Sequence, residues 1–276
     1  MNSGAREERH PLTNSIRRIL VIVLTAGLPT PAWSATATIG ASRDNTIYQS
    51  AVNNSAGGAA GIFVGTNGQG SPRRGLIAFD IASSVPAGAA ITAAELTMYL
   101  GNANNTNAQS ISLHRLAADW GEGTAGSGVA GVGGGGNGSP ASAGDATWDE
   151  RFFGSTAWTM PGAAGDFGAV ASTSAVVGGP VDQPHTWLST PALVADVQSW
   201  LDAPAANFGW AIVNANETSV QSVKVFYSRS ATLDSAGGQL DPGWRPTLTL
   251  TYEIPEPAAA ILVVLAVPFV FACRRR

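Results

Sequence analysis

The stretch Arg74–Ile81, RGLIAFDI, decides the fold. It is a near-continuous apolar run of strand length, and such a run reads as a strand buried on both faces. Outward from it the pattern changes to period two. Leu96, Met98 and Leu100 alternate with Glu95, Thr97 and Tyr99, and Ile111, Leu113 and Arg115 alternate with Ser112, His114 and Leu116. Phe208, Trp210 and Ile212, then Val223, Val225 and Tyr227, then Leu248, Leu250 and Tyr252 repeat the pattern. Clusters of Gly, Asn, Pro and Ser separate these runs, which predicts an all-β, antiparallel β-sandwich.

One segment departs from the rule. Leu193, Val194, Val197, Trp200 and Leu201 keep helical spacing behind Thr190-Pro191, a cap residue followed by a proline suited to the first turn. Pro204 stops it, so a single short helix over 190–202 is expected to close an end or edge of the sandwich. Gly121–Gly144 has no strand pattern, and eleven of its twenty-four residues are glycine. It reads as a flexible surface loop. No strand-loop-helix frame and no Lys-Ser/Thr accompany it, which speaks against a phosphate cradle.

The ends of the chain carry different signals. Arg6, Arg9, Arg17 and Arg18 precede the apolar run Ile19–Leu28, and Pro29 and Pro31 break that run before Ala32-Trp33-Ser34. This reads as a secretory signal peptide over 1–34, cleaved after Ser34 or alternatively after Ala37. At the other end, Ala258–Cys273 is an apolar run followed by Arg274, Arg275 and Arg276. As a helix at about 1.5 Å per residue it would rise about 24 Å, a short transmembrane span with cationic residues at the cytoplasmic flank. Preceded by Pro255-Glu256-Pro257, this tail resembles the PEP-CTERM sorting signal of Gram-negative bacteria. The resemblance implies recognition of the tripeptide by an exosortase, a transient hold in the inner membrane through the tail (254–276), and release to the cell surface or extracellular matrix.

Between the ends lies a domain of residues 35–253 with eight Lys or Arg against sixteen Asp or Glu. A net charge of −8 with a single lysine, Lys224, excludes a nucleic-acid partner, whose phosphates demand cations. The only cysteine, Cys273, lies in the tail, so the domain must rely on a hydrophobic core rather than disulfides. The order of its pieces resembles the DNRLRE domain. These are Asp44-Asn45-Thr46-Ile47, RRGLIAFDI (73–81), Pro86-Ala87-Gly88-Ala89 before AELTMYL, HRLAADWGEGT (114–124), TWDERFF (147–153), LVADVQSWLDAPAANFGWAI (193–212), FYSRSA (226–231) and RPTLTLTY (245–252). The literal DNRLRE string is absent, and the glycine-rich segment interrupts the Trp120–Trp148 region. The resemblance implies a jelly-roll-like, carbohydrate-binding-module-like β-sandwich.

Catalytic patterns are sparse. His114 and His185 are the only imidazoles of the domain, too few for a zinc triad, and no Gly-x-Ser-x-Gly elbow occurs. No catalytic residue is assigned. A polysaccharide lyase or glycoside hydrolase is the alternative, with His114 and Tyr99 as the pair to consider. No cofactor is assigned; calcium is the one cation to consider, with Asp145, Asp149 and Asp166 as candidate ligands. Trp120, Trp148 and Trp158 lie beside polar or glycine-rich segments and are the candidates for stacking on a sugar ring. Trp200 and Trp210 are read as core. The expected role is structural or adhesive, non-catalytic, and directed at extracellular polysaccharide.

Overall fold

The computed structural model describes Met1 and residues 33–129 and 131–254. The expected leader up to Ala32, the Pro255-Glu256-Pro257 motif, the 258–273 span and the terminal arginines lie outside the described residues. Among the described residues no helix is long and apolar enough to cross a membrane.

The two sheets of the sandwich are joined by two strands, Trp33–Tyr48 and Gly61–Thr66, each of which pairs into both. Trp33–Tyr48 pairs antiparallel with Thr247–Ile254 through Gly40, then shifts register between Ala41 and Arg43 and pairs with Pro72–Phe79 through Tyr48. The strand begins inside the expected leader: Trp33 faces Ile254 and Ser34 faces Glu253. In the first sheet, Ala90–Ala103 is the axis. Thr247–Ile254 and Lys224–Tyr227 pair with its early and late residues, and Gln183–Trp187 pairs with Leu96–Leu100. Gly61–Thr66 extends this sheet beyond Lys224–Tyr227. The second sheet runs from residues 41–48 through Pro72–Phe79, Trp210–Asn214 and Gln109–Arg115 to Thr173–Val177. Every pairing is antiparallel.

The RGLIAFDI reading holds. Ile77 and Phe79 join the inter-sheet core with Leu96, Met98, Leu100, Ile111 and Leu113, whereas Leu76 and Ala78 face a second cluster outside the second sheet. A central strand can carry apolar residues at successive positions only when both faces are covered. The cover on its outer side is built from Trp120, Trp148 and Trp158 on the 116–167 excursion.

The helix is Pro191–Asp202, with Thr190 Oγ1 accepting from the Leu193 N–H at 3.0 Å. Leu193, Val197, Trp200 and Leu201 are buried against the inter-sheet core, and Trp200 meets Trp210 edge-on with ring centroids 4.5 Å apart. One strand faces the opposite way to its reading. Phe226 and Lys224 are the buried inward members of Lys224–Tyr227, while Val223, Val225 and Tyr227 belong to a third cluster outside the first sheet. The alternation is real, but its apolar face is covered by Val132, Leu240 and Trp244 rather than by the other sheet.

Val132 also corrects the picture of the glycine-rich segment. That segment is irregular, as expected, yet it is seated on the first sheet. Val132 is 3% exposed and sits in a notch between Gly61 and Gly101. A Cβ on Gly101 would lie 2.6 Å from a Val132 methyl, and one on Gly61 would lie 2.5 Å from the Val132 carbonyl oxygen. Further along, Tyr48 Oη donates to the Gly135 carbonyl, and Asn54 and Ser55 bridge to Ser139 and Pro140. The glycines let the backbone approach the sheet more closely than any side chain would permit.

Candidate functional site

Where the glycine-rich segment crosses the outer face of the first sheet, it forms one wall of a groove of about 540 Å³. This lies within the usual range of about 300–1,000 Å³ for ligand sites. Phe63, Val223 and Val225 line its apolar part, and all three side chains are buried. The rest of the lining is dominated by amides: Asn67, Gln69, Asn102, Asn104, Asn137 and Gln221. Each carboxamide offers two donors and one acceptor in a fixed plane, a set matched to hydroxyl-rich ligands.

Local chain geometry sets these amides in place. Asn67 Oδ1 accepts from the Gln69 and Ser71 N–H groups at 3.0 and 2.9 Å, which fixes the 67–71 turn. Gln221 holds a left-handed backbone with φ 54°, uncommon for a residue with a side chain. The Gln221 N–H donates to the Asn67 carbonyl, and the Gln221 carbonyl accepts from Asn105 Nδ2 at 2.8 Å. The rim is therefore built before any ligand arrives.

Arg73 supplies the charge. It is 4% exposed, lines the groove, and lies over the Tyr48 ring at 5.6 Å. Its Nε donates to the Gly136 carbonyl at 2.7 Å, Nη1 to the Ser71 carbonyl at 3.0 Å, and Nη2 to Asn137 Oδ1 at 2.7 Å. Among the described residues no carboxylate pairs with it. Burial lowers its pKa from the ordinary arginine value, and the neighbouring Tyr48 partly opposes that. A buried guanidinium without an anion is costly, and an acidic ligand group would relieve that cost.

The residues expected from sequence lie elsewhere. Trp120, Trp148 and Trp158 are 0%, 6% and 4% exposed. Trp120 Nε1 donates to the Phe208 carbonyl and Trp158 Nε1 to the Thr147 carbonyl, both at 2.9 Å. Arg43 and Arg74 cover the Trp120 and Trp148 rings at 4.5 and 5.2 Å. These rings are the cover of the RGLIAFDI strand and present no open face to a sugar, because packing already occupies them.

Asp145, Asp149 and Asp166 are not brought together either. Asp145 is buried and accepts from the Ser142 N–H, Asp149 is exposed, and Asp166 accepts from the N–H and hydroxyl of Thr159. Among the described residues no group of three or more His, Cys, Asp or Glu side chains converges on one point.

His114 and Tyr99 stand on different sheets. His114 Nδ1 lies 2.8 Å from the Gly168 carbonyl and its ring packs on Phe167, whereas Tyr99 stacks on Trp244 with ring centroids 5.3 Å apart. His185 belongs to the Gln183–Trp187 strand, and burial lowers its pKa from the usual histidine value. Sequence reasoning missed the groove because its residues come from four separated turns with no shared period. The one local signal was Val132, an apolar residue amid glycines.

No curated protein matches the chain. A family model does: residues 35–126 match carbohydrate-binding module family 96, a span that supplies Asn67, Arg73 and Asn102 of the groove but ends before Asn137 and Gln221. Over those residues, the chain is similar to a carbohydrate-binding module.

Proposed function

We propose that the domain binds extracellular polysaccharide at the amide-lined groove and does not cleave it. The observation that carries this reading is the buried Arg73 guanidinium, unpaired by any described carboxylate, on the lining of a groove whose other polar groups are carboxamides. Amides pair with sugar hydroxyls, and the guanidinium favours a sugar bearing a carboxylate or sulfate. Similarity to a carbohydrate-binding module over residues 35–126 supports the same ligand class. The non-catalytic part rests on the lining of the groove, which holds no carboxylate and no imidazole among the described residues.

The delivery route belongs to the same proposal. The leader over 1–34 exports the chain, and an exosortase recognises Pro255-Glu256-Pro257 and removes the tail. The domain is thereby placed on the surface or in the matrix of a Gram-negative cell. The resemblance of the two chain ends to sorting signals supports this.

A glycan array probed with residues 35–254, with and without EDTA, tests the binding. Retention on acidic polysaccharides, unchanged by EDTA and weakened at least tenfold in Arg73→Gln and Asn67→Ala, is the expected result. A blank array, or release of unsaturated or reducing ends from a bound glycan, overturns the reading.

A further inference from the structure

The groove continues past its first wall. A second hollow of about 340 Å³, open to solvent like the first, adjoins it and shares Asn102 and Gly133 with it. Those two residues make a low sill between the hollows. A Cβ on Gly133 would stand only 2.1 Å from the Asn102 amide nitrogen. The amide nitrogen, nearer than Cγ or Cβ, therefore meets bare backbone end-on, a contact that a side chain at Gly133 would block. Asn102 is itself exposed, so the sill is open to solvent.

The two hollows differ in charge. Arg73 lines the first, while Asp234 and Ser235 line the second, which has no cation among its lining residues. Asp234 Oδ1 already accepts from the Ala236 and Gly238 N–H groups at 3.0 and 2.7 Å. A second acidic sugar would be repelled there, whereas a neutral hydroxyl-bearing unit finds acceptors.

Resting on the reading of the groove as a glycan site, we propose that the two hollows form one continuous trough for the interior of a polysaccharide chain. An acidic unit lies over Arg73, a neutral unit lies beside Asp234 and Ser235, and the linkage between them crosses the Asn102–Gly133 sill. The ligand class is thus a heteropolysaccharide in which acidic and neutral sugars alternate, held along its length rather than at its end.

Calorimetric titration of the full chain, in mild detergent, with glucuronic acid and with hyaluronan oligosaccharides of two to ten sugars tests this, since acidic and neutral units alternate in that series. Affinity is expected to rise at least tenfold from the single acidic sugar to the tetrasaccharide. In Val181→Trp, where a larger side chain is placed on the lining of the second hollow alone, binding of the single acidic sugar is expected to persist and the gain with length to vanish. Equal affinity for short and long members overturns the trough while leaving glycan binding intact. No binding in this series, when other glycans are retained on the array, overturns the acidic–neutral assignment. A blank array together with a blank titration overturns the glycan reading and this inference with it.

Discussion

The backbone N–H of Arg229 donates to the Oδ2 of Asp44 at 2.7 Å, although the two residues lie 185 positions apart. The Arg229 guanidinium also closes on both oxygens of Glu122, and Glu122 Oε1 accepts from the Asp44 N–H at 2.8 Å. Asp44 is fully buried, and its Oδ1 has no hydrogen-bond partner among the described residues. The stretch that carries the resemblance at Asp44-Asn45-Thr46 is thus a junction joining the Trp33–Tyr48 strand, the glycine-rich segment and the turn after Lys224–Tyr227.

Burial pushes the Asp44 carboxyl up from 3.8 to about 7; Glu122 adds to the rise, while Arg229 opposes it by its N–H and its charge. The folded value lies above the unfolded one, so the folded state keeps a proton that the unfolded state releases. The group's contribution to stability is full below about pH 4, declines as pH rises and is gone above about pH 7. The unfolding midpoint is therefore expected to fall between pH 5 and pH 8. Asp44→Asn, whose carboxamide oxygen still accepts from Arg229, is expected to flatten that slope. A wild-type midpoint constant across this range contradicts the assignment.

Trp200→Ala is expected to cost about 3–5 kcal/mol, the usual range for emptying a large aromatic site in a core. Trp200 is 1% exposed and packs on Trp210, and its Nε1 has no hydrogen-bond partner among the described residues. Trp200→Phe removes that buried N–H and is expected to cost far less. Chemical denaturation of both variants separates lost packing from the unsatisfied donor. A loss below about 1 kcal/mol in the alanine variant would show the helix to be peripheral.

Thr190→Ala removes the Oγ1 that caps the helix and also donates to the Ser172 carbonyl. The expected loss is about 1 kcal/mol, with Thr190→Ser recovering most of it. Equal midpoints for all three proteins would mean that packing alone sets where the helix begins.

Val132→Ala loosens the seat of the glycine-rich segment without touching the groove's amides. Hydrogen exchange at Gly133–Asn137 is expected to quicken and glycan affinity to drop at least tenfold, while the global midpoint moves by only a few degrees. An unchanged affinity would mean that the wall is held by Arg73 and Tyr48 without Val132.

Glu256→Ala is expected to leave the tail uncut and the protein in the membrane fraction, if Pro255-Glu256-Pro257 is the sorting site. Intact mass of the released wild-type protein is the check. Finding residues 258–276 still attached would refute it.

Burial pattern was the legible part of this chain. RGLIAFDI announces cover on both faces, and Thr190-Pro191 with Leu193, Val197 and Trp200 announces one helix; both appear where expected. A pattern says that a face is covered without saying by what. Val225 and Tyr227 therefore read as inter-sheet core, though a loop covers them, and Trp120, Trp148 and Trp158 read as ligand platforms, though they are themselves the cover. The groove had no pattern at all. Asn67, Asn102, Asn137 and Gln221 are ordinary turn residues until the topology sets their turns side by side.

Ala90–Ala103 sets the distance between the C-terminal end of the domain and the trough. Its first residue pairs with Glu253, at the point where the chain departs toward its C-terminus, and Asn102 stands near its last. Twelve residues of extended chain separate them, about 40 Å at strand rise. A domain tethered by its C-terminal end would hold its trough at the far tip, pointed toward the surroundings, with the full length of the sandwich serving as a mast.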